Sequence, residues 1–293
     1  MRGNKLVTFL EMIKIEHTLF ALPFAFMGAM LGAVVGVGEL PSWAQIGWII
    51  LAMVGARSAA MGLNRVIDKT FDKNNPRTSM RAIPAGLLSS KEVWIFIVAS
   101  FVLLFVATAN LSTLAMKLLP LAVFMLVFYS YTKRFTWLCH IILGFTIALA
   151  PLGGWVAVTG HVDIYALILY VSVAFWTAGF DVIYACQDME FDRNTGLHSI
   201  PQRFGLNGAL WIAKGFHLIP AIGFLVMFLL MAELSWWYFA GVLISYALMI
   251  YEHSIVRPNN LSKLNTAFFT MNGTLSIVVF CFTCIDLVVR YAW

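Results

Sequence analysis

Charge is what this chain has least of. Of its 293 residues, 11% are charged and 61% hydrophobic, with a mean hydropathy of +0.86, whereas soluble domains carry roughly 25% charged residues. That scarcity excludes a water-soluble fold. Long polar segments are also missing. The two longest, about residues 65 to 90 and 185 to 206, are too short to bury a core of their own, so residues 1–293 read as a single membrane-embedded domain. Cys139, Cys186, Cys281 and Cys284 stand in or beside apolar runs, and the one CxxC has no second pair to complete a zinc set. These cysteines therefore read as small buried hydrophobes. The six histidines show no HExxH or similar spacing, which excludes a transition-metal centre of that kind. The opening stretch MRGNKLVTFLEMIKIEH has no h-region or small-residue cleavage site, and no secretory signal is expected. No nucleic-acid partner is expected either.

What is present is apolar sequence in span-sized pieces. A membrane-spanning helix needs about 20 apolar residues. Nine runs qualify, roughly 18 to 38, 42 to 64, 91 to 111, 114 to 131, 136 to 158, 163 to 184, 207 to 231, 235 to 251 and 267 to 289. The expected fold class is all-α, a polytopic bundle of nine transmembrane helices in contact with membrane lipid. Lysine and arginine in short loops hold those loops in the cytoplasm. Sixteen of the 19 basic residues fall at the amino terminus and after the second, fourth, sixth and eighth runs, against Lys117 and Arg290 on the other side and Arg57 within a run. Both polar loops therefore face the cytoplasm.

The first polar loop, GLNRVIDKTFDKNNPRTSMRAIPAG, spaces Asn64, Asp68 and Asp72 by four, which puts them on one face of a continuing α-helix. Arg57, seven residues earlier, returns to nearly that face two turns deeper. A charge at that depth costs a few kcal/mol in lipid, so Arg57 is expected to face a cavity. The second loop, AGFDVIYACQDMEFDRNTGLHSIPQRFG, repeats the device with Asp181, Asp188 and Asp192 at spacings of seven and four. Each cluster is followed by a base and an Ile-Pro, Ile83-Pro84 and Ile200-Pro201, a hint of internal duplication.

Either cluster alone is compatible with a solvated juxtamembrane loop. Two clusters in helical register, each running back into an apolar span, favour a site. Facing carboxylates repel in a partly desolvated cleft unless cations neutralise them. Mg2+, which binds one or two carboxylates together with substrate phosphates, is the natural counter-ion. Arg77, Arg81, Arg193 and Lys133 flank the acids and suit phosphate oxygens, although cytoplasmic loop placement alone would explain any one of them. Acids and bases together describe a magnesium diphosphate site.

These residues resemble the UbiA superfamily of intramembrane prenyltransferases. Asn64, Asp68 and Asp72 look like the family's Asn-x-x-x-Asp-x-x-x-Asp motif, and Asp188 and Asp192 its second, with Asp181 upstream. Tyr129 and Lys133 match its Tyr-x-x-x-Lys, and Arg77 and Arg81 stand where the family places diphosphate-binding bases. The branch most resembled is the 4-hydroxybenzoate polyprenyltransferases and their menaquinone-pathway relatives, for which EHTLFALPFAFMGAMLGA and GFDVIYACQDMEFD are suggestive. The chain departs from many members at Arg65, where Asp is common, and at Glu16-His17, where an Asp-Lys pair is common.

The resemblance implies a helical bundle around a central cavity with cytoplasmic capping loops, in a prokaryotic cytoplasmic membrane. It implies transfer of a polyprenyl group from its diphosphate to an aromatic acid of the 4-hydroxybenzoate or 1,4-dihydroxy-6-naphthoate type. Asp68, Asp72, Asp188 and Asp192 are then expected to hold Mg2+, and Arg77, Arg81, Lys133 and Arg193 to hold the diphosphate. Asp68, Asp188, Asp181 and Tyr129 would act on the reacting groups, with Asn64 and Arg57 on the acceptor. For Arg57 a structural pairing with Asp181 is the competing expectation. Family relatives acting on haem, chlorophyllide or glycerol phosphate acceptors, a transporter and a lipid diphosphate phosphatase are the competing readings.

Overall fold

The computed structural model describes residues 5–13 and 18–291. Arg2, Lys14 and the Glu16-His17 pair lie outside the described residues. Among those described no strand forms, and the backbone is helical nearly throughout. A short amino-terminal helix, α1 (Lys5–Ile13), precedes α2 (Thr18–Leu31), which continues through a π-helical stretch to Val37. Next come α3 (Trp43–Ile67), the short α4 (Lys69–Asn74), α5 (Ser90–Ala109), α6 (Thr113–Thr132), α7 (Cys139–Thr159) and α8 (Ile164–Ala185). The short α9 (Met189–Thr195) leads to α10 (Ile200–Leu230), α11 (Trp236–Ile255) and, after a second π-helical stretch, α12 (Asn272–Tyr291).

Most long helices lie within a few residues of the apolar runs because local chemistry stops them there. Ser42 with Gln45 and Ser89 with Glu92 form reciprocal capping boxes at the starts of α3 and α5. Ser112, Asp163 and Ser199 accept first-turn amides of α6, α8 and α10. Gly160 ends α7 in the left-handed conformation. The exception is α10, expected from residue 207. It begins at Ile200 and breaks at Gly205, whose φ of 68° and ψ of 174° no helix contains. Seven of the described helical segments are long and apolar enough to cross a membrane, and Ala21–Val37 is a shorter apolar one.

The packing uses small residues to bring backbones together, the usual route to helix association where lipid removes the hydrophobic drive. A Cβ built on Gly28 of α2 would lie 2.0 Å from Pro151 O of α7, and one on Gly154 of α7 would lie 2.1 Å from Ala25 O of α2. The two helices thus cross with reciprocal glycines at the contact. The main apolar core gathers Phe24, Trp155, Trp176, Phe224 and Tyr238, from α2, α7, α8, α10 and α11. On the other side, α3 packs against α5, while α6 is little covered along its length. Between these groups the bundle is hollow.

Candidate active site

Both acidic segments are built the same way. α3 stops at Ile67, Asp68 adopts φ −93° and ψ 8°, and α4 resumes at Lys69. After α8, a single 3₁₀ turn ends at Asp188 with φ −98° and ψ 2°, and α9 resumes at Met189. In each case an aspartate occupies the sparsely allowed bridge region at a helix break, and the aspartate four residues on lies buried in the short helix beyond. Asp72 is 5% exposed and Asp192 is fully buried. The i to i−4 bonding carries through the first break, Asp68 N to Asn64 O at 3.0 Å and Asp72 N to Asp68 O at 2.8 Å. The Ile-Pro pairs do not share this likeness. Ile83-Pro84 lies in a turn, whereas Ile200-Pro201 opens α10.

The cations that the clustered carboxylates require are supplied by the protein's own side chains. Each of the four has its own base. Arg77 forks onto Asp188, Nε to Oδ1 at 2.9 Å and Nη2 to Oδ2 at 2.5 Å. Arg81 Nη1 donates to Asp72 Oδ1 at 2.6 Å. Lys133 Nζ sits 2.8 Å from Asp192 Oδ1, an ion-pair contact without hydrogen-bond alignment. Arg134 Nη2 lies 3.1 Å from Asp68 Oδ1 and also caps the Ile67 carbonyl at 2.7 Å. The pairs cross-link the loops: Arg77 joins the first acidic segment to the second, and Lys133 and Arg134 tie the end of α6 to both. His198 N donates to Lys133 O at 2.7 Å, adding a backbone tie.

These surroundings move the ionisation of the loop groups. Burial is the main influence on Asp68 and raises its pKa, against the lowering effect of Arg134. Burial alone would lower Arg77 and Lys133, but Asp188 and Asp192 respectively outweigh it, so both bases are raised and stay charged.

Two cavities meet here. One, of about 240 Å³, is walled by the four acids with Asn75, Arg77, Arg81, Lys133 and His140. The other, of about 440 Å³, runs inward between α2, α3, α5, α6, α7 and α8 and is lined mainly by Ala, Leu, Ile and Met, with Arg57 and Arg65 among the few charged residues in its wall. Asn64, Arg81, Tyr129, Leu143, Asp181 and Tyr184 belong to both linings and form the threshold between them. Arg57 lines the apolar cavity, and its buried Nε has no hydrogen-bond partner. It does not pair with Asp181, which bonds His140 instead at 2.7 Å. Asn64 donates to Asp68 Oδ2 at 2.9 Å and accepts from Arg65 Nη1 at 2.8 Å. Tyr129 donates to Ala60 O at 3.3 Å.

Thus Asn64, Asp68, Asp72, Arg77, Arg81, Tyr129, Lys133, Asp181, Asp188 and Asp192 all line the polar cavity, and Arg57 joins them from the apolar side. Arg193 does not. It is exposed, 3.3 Å from Glu190, and lines neither cavity, because its place on the short α9 turns it away from the buried Asp192. Sequence reasoning missed Tyr184, His140, Asn75 and Arg134. Tyr184 was findable, since it falls three residues after Asp181 and four before Asp188 on the same face. The others carry no local signal.

The donor set accommodates a magnesium ion in one particular sense. Among the described residues no three His, Cys, Asp or Glu side chains gather closely enough to hold a metal by themselves. Yet Asp72 Oδ2 and Asp192 Oδ2 are buried without a hydrogen-bond partner, an expensive condition for a carboxylate oxygen. Mg2+ needs only one or two carboxylates when substrate phosphates complete its shell.

Comparison with known proteins gives a consistent result. Residues 22–274 match the UbiA prenyltransferase family. The 4-hydroxybenzoate octaprenyltransferase of Vibrio campbellii is 25% identical over 280 residues, which span 95% of this chain and 97% of that one. The apo structure of a UbiA homolog from Aeropyrum pernix K1 is similar with a TM-score of 0.79 at 28% identity, over 94% of this chain and 98% of that one. A UbiA homolog from Archaeoglobus fulgidus, solved bound to GPP and Mg2+, shares the fold with a TM-score of 0.77 at 21% identity, over 96% and 99%.

Proposed function

The chain belongs to the UbiA prenyltransferase family and is an aromatic prenyltransferase, and on that footing we propose that it moves a polyprenyl group from an allylic diphosphate to the ring of a hydroxylated aromatic acid in quinone biosynthesis. The observation that carries this reading is the junction of a charged cavity with an apolar one through a shared threshold. A diphosphate suits the first, a prenyl chain the second, and the bond between them then lies at the threshold. The two apolar helices outside those seven, α2 and α11, cross the membrane too in this reading, which makes nine spans with the charged cavity on the cytoplasmic side.

Arg77, Arg81 and Lys133 bind the diphosphate by exchanging part of their present carboxylate partners for phosphate oxygens. Asp68, Asp72, Asp188 and Asp192 would hold magnesium ions. Magnesium, when bound, supplies positive charge against the negative charge that builds on the leaving oxygen. The fixed bases do the same from the protein side. Departure of diphosphate leaves an allylic cation at the threshold, where the π face of Tyr129 stabilises it and the apolar lining keeps water away. Asn64, held between Asp68 and Arg65, orients the acceptor. Arg57 pairs with the acceptor's carboxylate, a role supported by its unpartnered Nε and its absence from any pair with Asp181. The ring attacks carbon one of the prenyl chain, and Asp181 takes the displaced ring proton.

The experiment is direct. Purified protein in nanodiscs receives Mg2+ and a labelled allylic diphosphate with 4-hydroxybenzoate, 1,4-dihydroxy-6-naphthoate or no acceptor, and product is followed by mass. Product with one aromatic acid, lost in Asp68→Ala and Asp188→Ala, is the expected result. No prenylated aromatic from folded protein that still binds the diphosphate overturns the acceptor assignment.

A further inference from the structure

His140 opens the first turn of α7 with only 4% of its surface exposed, and it stands in the wall of the polar cavity. Its two ring nitrogens have different partners. Nδ1 lies 2.7 Å from Asp181 Oδ2, and Nε2 lies 3.3 Å from the backbone nitrogen of Ile200. A backbone N–H can only donate, so Nε2 is the acceptor of that contact. In the neutral imidazole the single ring hydrogen then sits on Nδ1 and points at Asp181. Ile200 is the first residue of α10, where amides have no intrahelical acceptor. The start of α10 therefore sets the tautomer of a histidine on α7, and that histidine holds a carboxylate on α8.

Asp181 is held by one oxygen only. Its Oδ1 has no hydrogen-bond partner among the described residues, and the side chain belongs to the threshold shared by both cavities. We propose that His140 is a positioning residue for the loss of the ring proton: it fixes Asp181 through Oδ2 so that Oδ1 meets the ring carbon that has just been prenylated. The inference rests on the prenyl-transfer reading above. When carbon one of the prenyl chain bonds to the ring, that ring carbon becomes tetrahedral and keeps its hydrogen. Oδ1 accepts the hydrogen as a proton, and the electron pair of the C–H bond returns to the ring and restores its aromaticity. Asp181 becomes a neutral acid, while the diphosphate has already left with the electron pair of the broken C–O bond. Release of the proton to the polar cavity resets the site.

The test uses 4-hydroxybenzoate carrying deuterium on both ring carbons beside the hydroxyl, with the full-length protein in nanodiscs. Wild type is compared with His140→Phe, which loses both contacts, and with His140→Asn, whose amide can stand where Nδ1 stood. In His140→Phe, kcat is expected to fall by about 10-fold or more, a part of the roughly 100- to 10,000-fold that a positioned base contributes. Its KM for the allylic diphosphate should stay as in wild type, and a primary isotope effect should appear as proton loss becomes rate-limiting. His140→Asn should recover most of kcat and suppress the isotope effect. A lowered kcat in His140→Phe with no isotope effect, or His140→Asn behaving no better than His140→Phe, overturns the proposal. Should His140→Phe fail to fold, His140→Leu takes its place beside His140→Asn, and the same two outcomes support or overturn the proposal. Wild type that makes no prenylated aromatic at all is a failure of the prenyl-transfer reading itself, visible before any variant is compared.

Discussion

Arg77 and Asp188, 111 residues apart, meet as a forked pair with contacts of 2.9 and 2.5 Å, and this pair fastens the first acidic segment to the second. The guanidinium also lies over the Tyr184 ring, 5.5 Å from its centroid. Replacing Arg77 by Ala leaves Asp188 largely buried without its base. The expected outcome is a loss of about 1–3 kcal/mol of stability, the usual scale for stranding a hydrogen-bonded charge, with weaker diphosphate binding. Arg77→Lys should recover little of either, because an ammonium lacks the planar fork. Thermal unfolding and diphosphate titration of the two variants check this.

Asp72 and Asp192 each keep a buried oxygen without a hydrogen-bond partner. Asp72→Asn and Asp192→Asn conserve shape and remove the charge. Product formation should fall at least 100-fold in each, about 2.7 kcal/mol at the transition state, while the protein stays folded. In wild type, chelation of divalent ions should abolish product and added Mg2+ should restore it. Calorimetric titration with Mg2+ and an unreactive diphosphate should show metal uptake in wild type that is lost in both variants.

In the proposed reaction Arg57 pairs with the acceptor's carboxylate, which makes it the residue to test for acceptor choice. Arg57→Leu should raise KM for 4-hydroxybenzoate by about 10- to 100-fold, corresponding to a charged hydrogen bond of about 1.5–3 kcal/mol. KM for the allylic diphosphate should not move. An equal rise in both constants would show that Arg57 supports the cavity wall rather than the acceptor.

The crossing of α2 and α7 tolerates no side chain at its glycines. A Cβ at position 154 would sit 2.1 Å from Ala25 O, so Gly154→Val must push the two backbones apart. The expected cost is above the ordinary 1–3 kcal/mol of overpacking, because the obstacle is backbone. Size-exclusion profiles after detergent extraction should show loss of the monodisperse species.

The sequence made much of this legible, and the reason is locality. Run length fixed most of the long helices, since α3, α5 and α8 end at caps within a few residues of their apolar stretches. The acids were found because a spacing of four along a helix is a property of that helix alone. Even Tyr184 lay within reach of the same register. What stayed hidden depends on distant segments meeting. Nothing near Asp188 announces that its base arrives from position 77, and nothing near Asp181 points to His140 on the neighbouring helix. Which cation neutralises which carboxylate was hidden for the same reason, because each base comes from another element or from farther along its loop. Arg193 illustrates the converse. Adjacency in sequence to Asp192 turned it outward, since neighbours on a helix point about 100° apart.

The boundary between the charged chamber and the apolar one also acts before any chemistry. A molecule with an anionic head and an oily tail is favoured in this pair of rooms in one direction, since the reverse arrangement would set the head against a mainly Ala and Leu wall and hydrocarbon among aspartates and arginines. Partition alone therefore aligns such a substrate end for end, whatever the length of its tail. The side chains at the threshold have only to recognise the bond that arrives there.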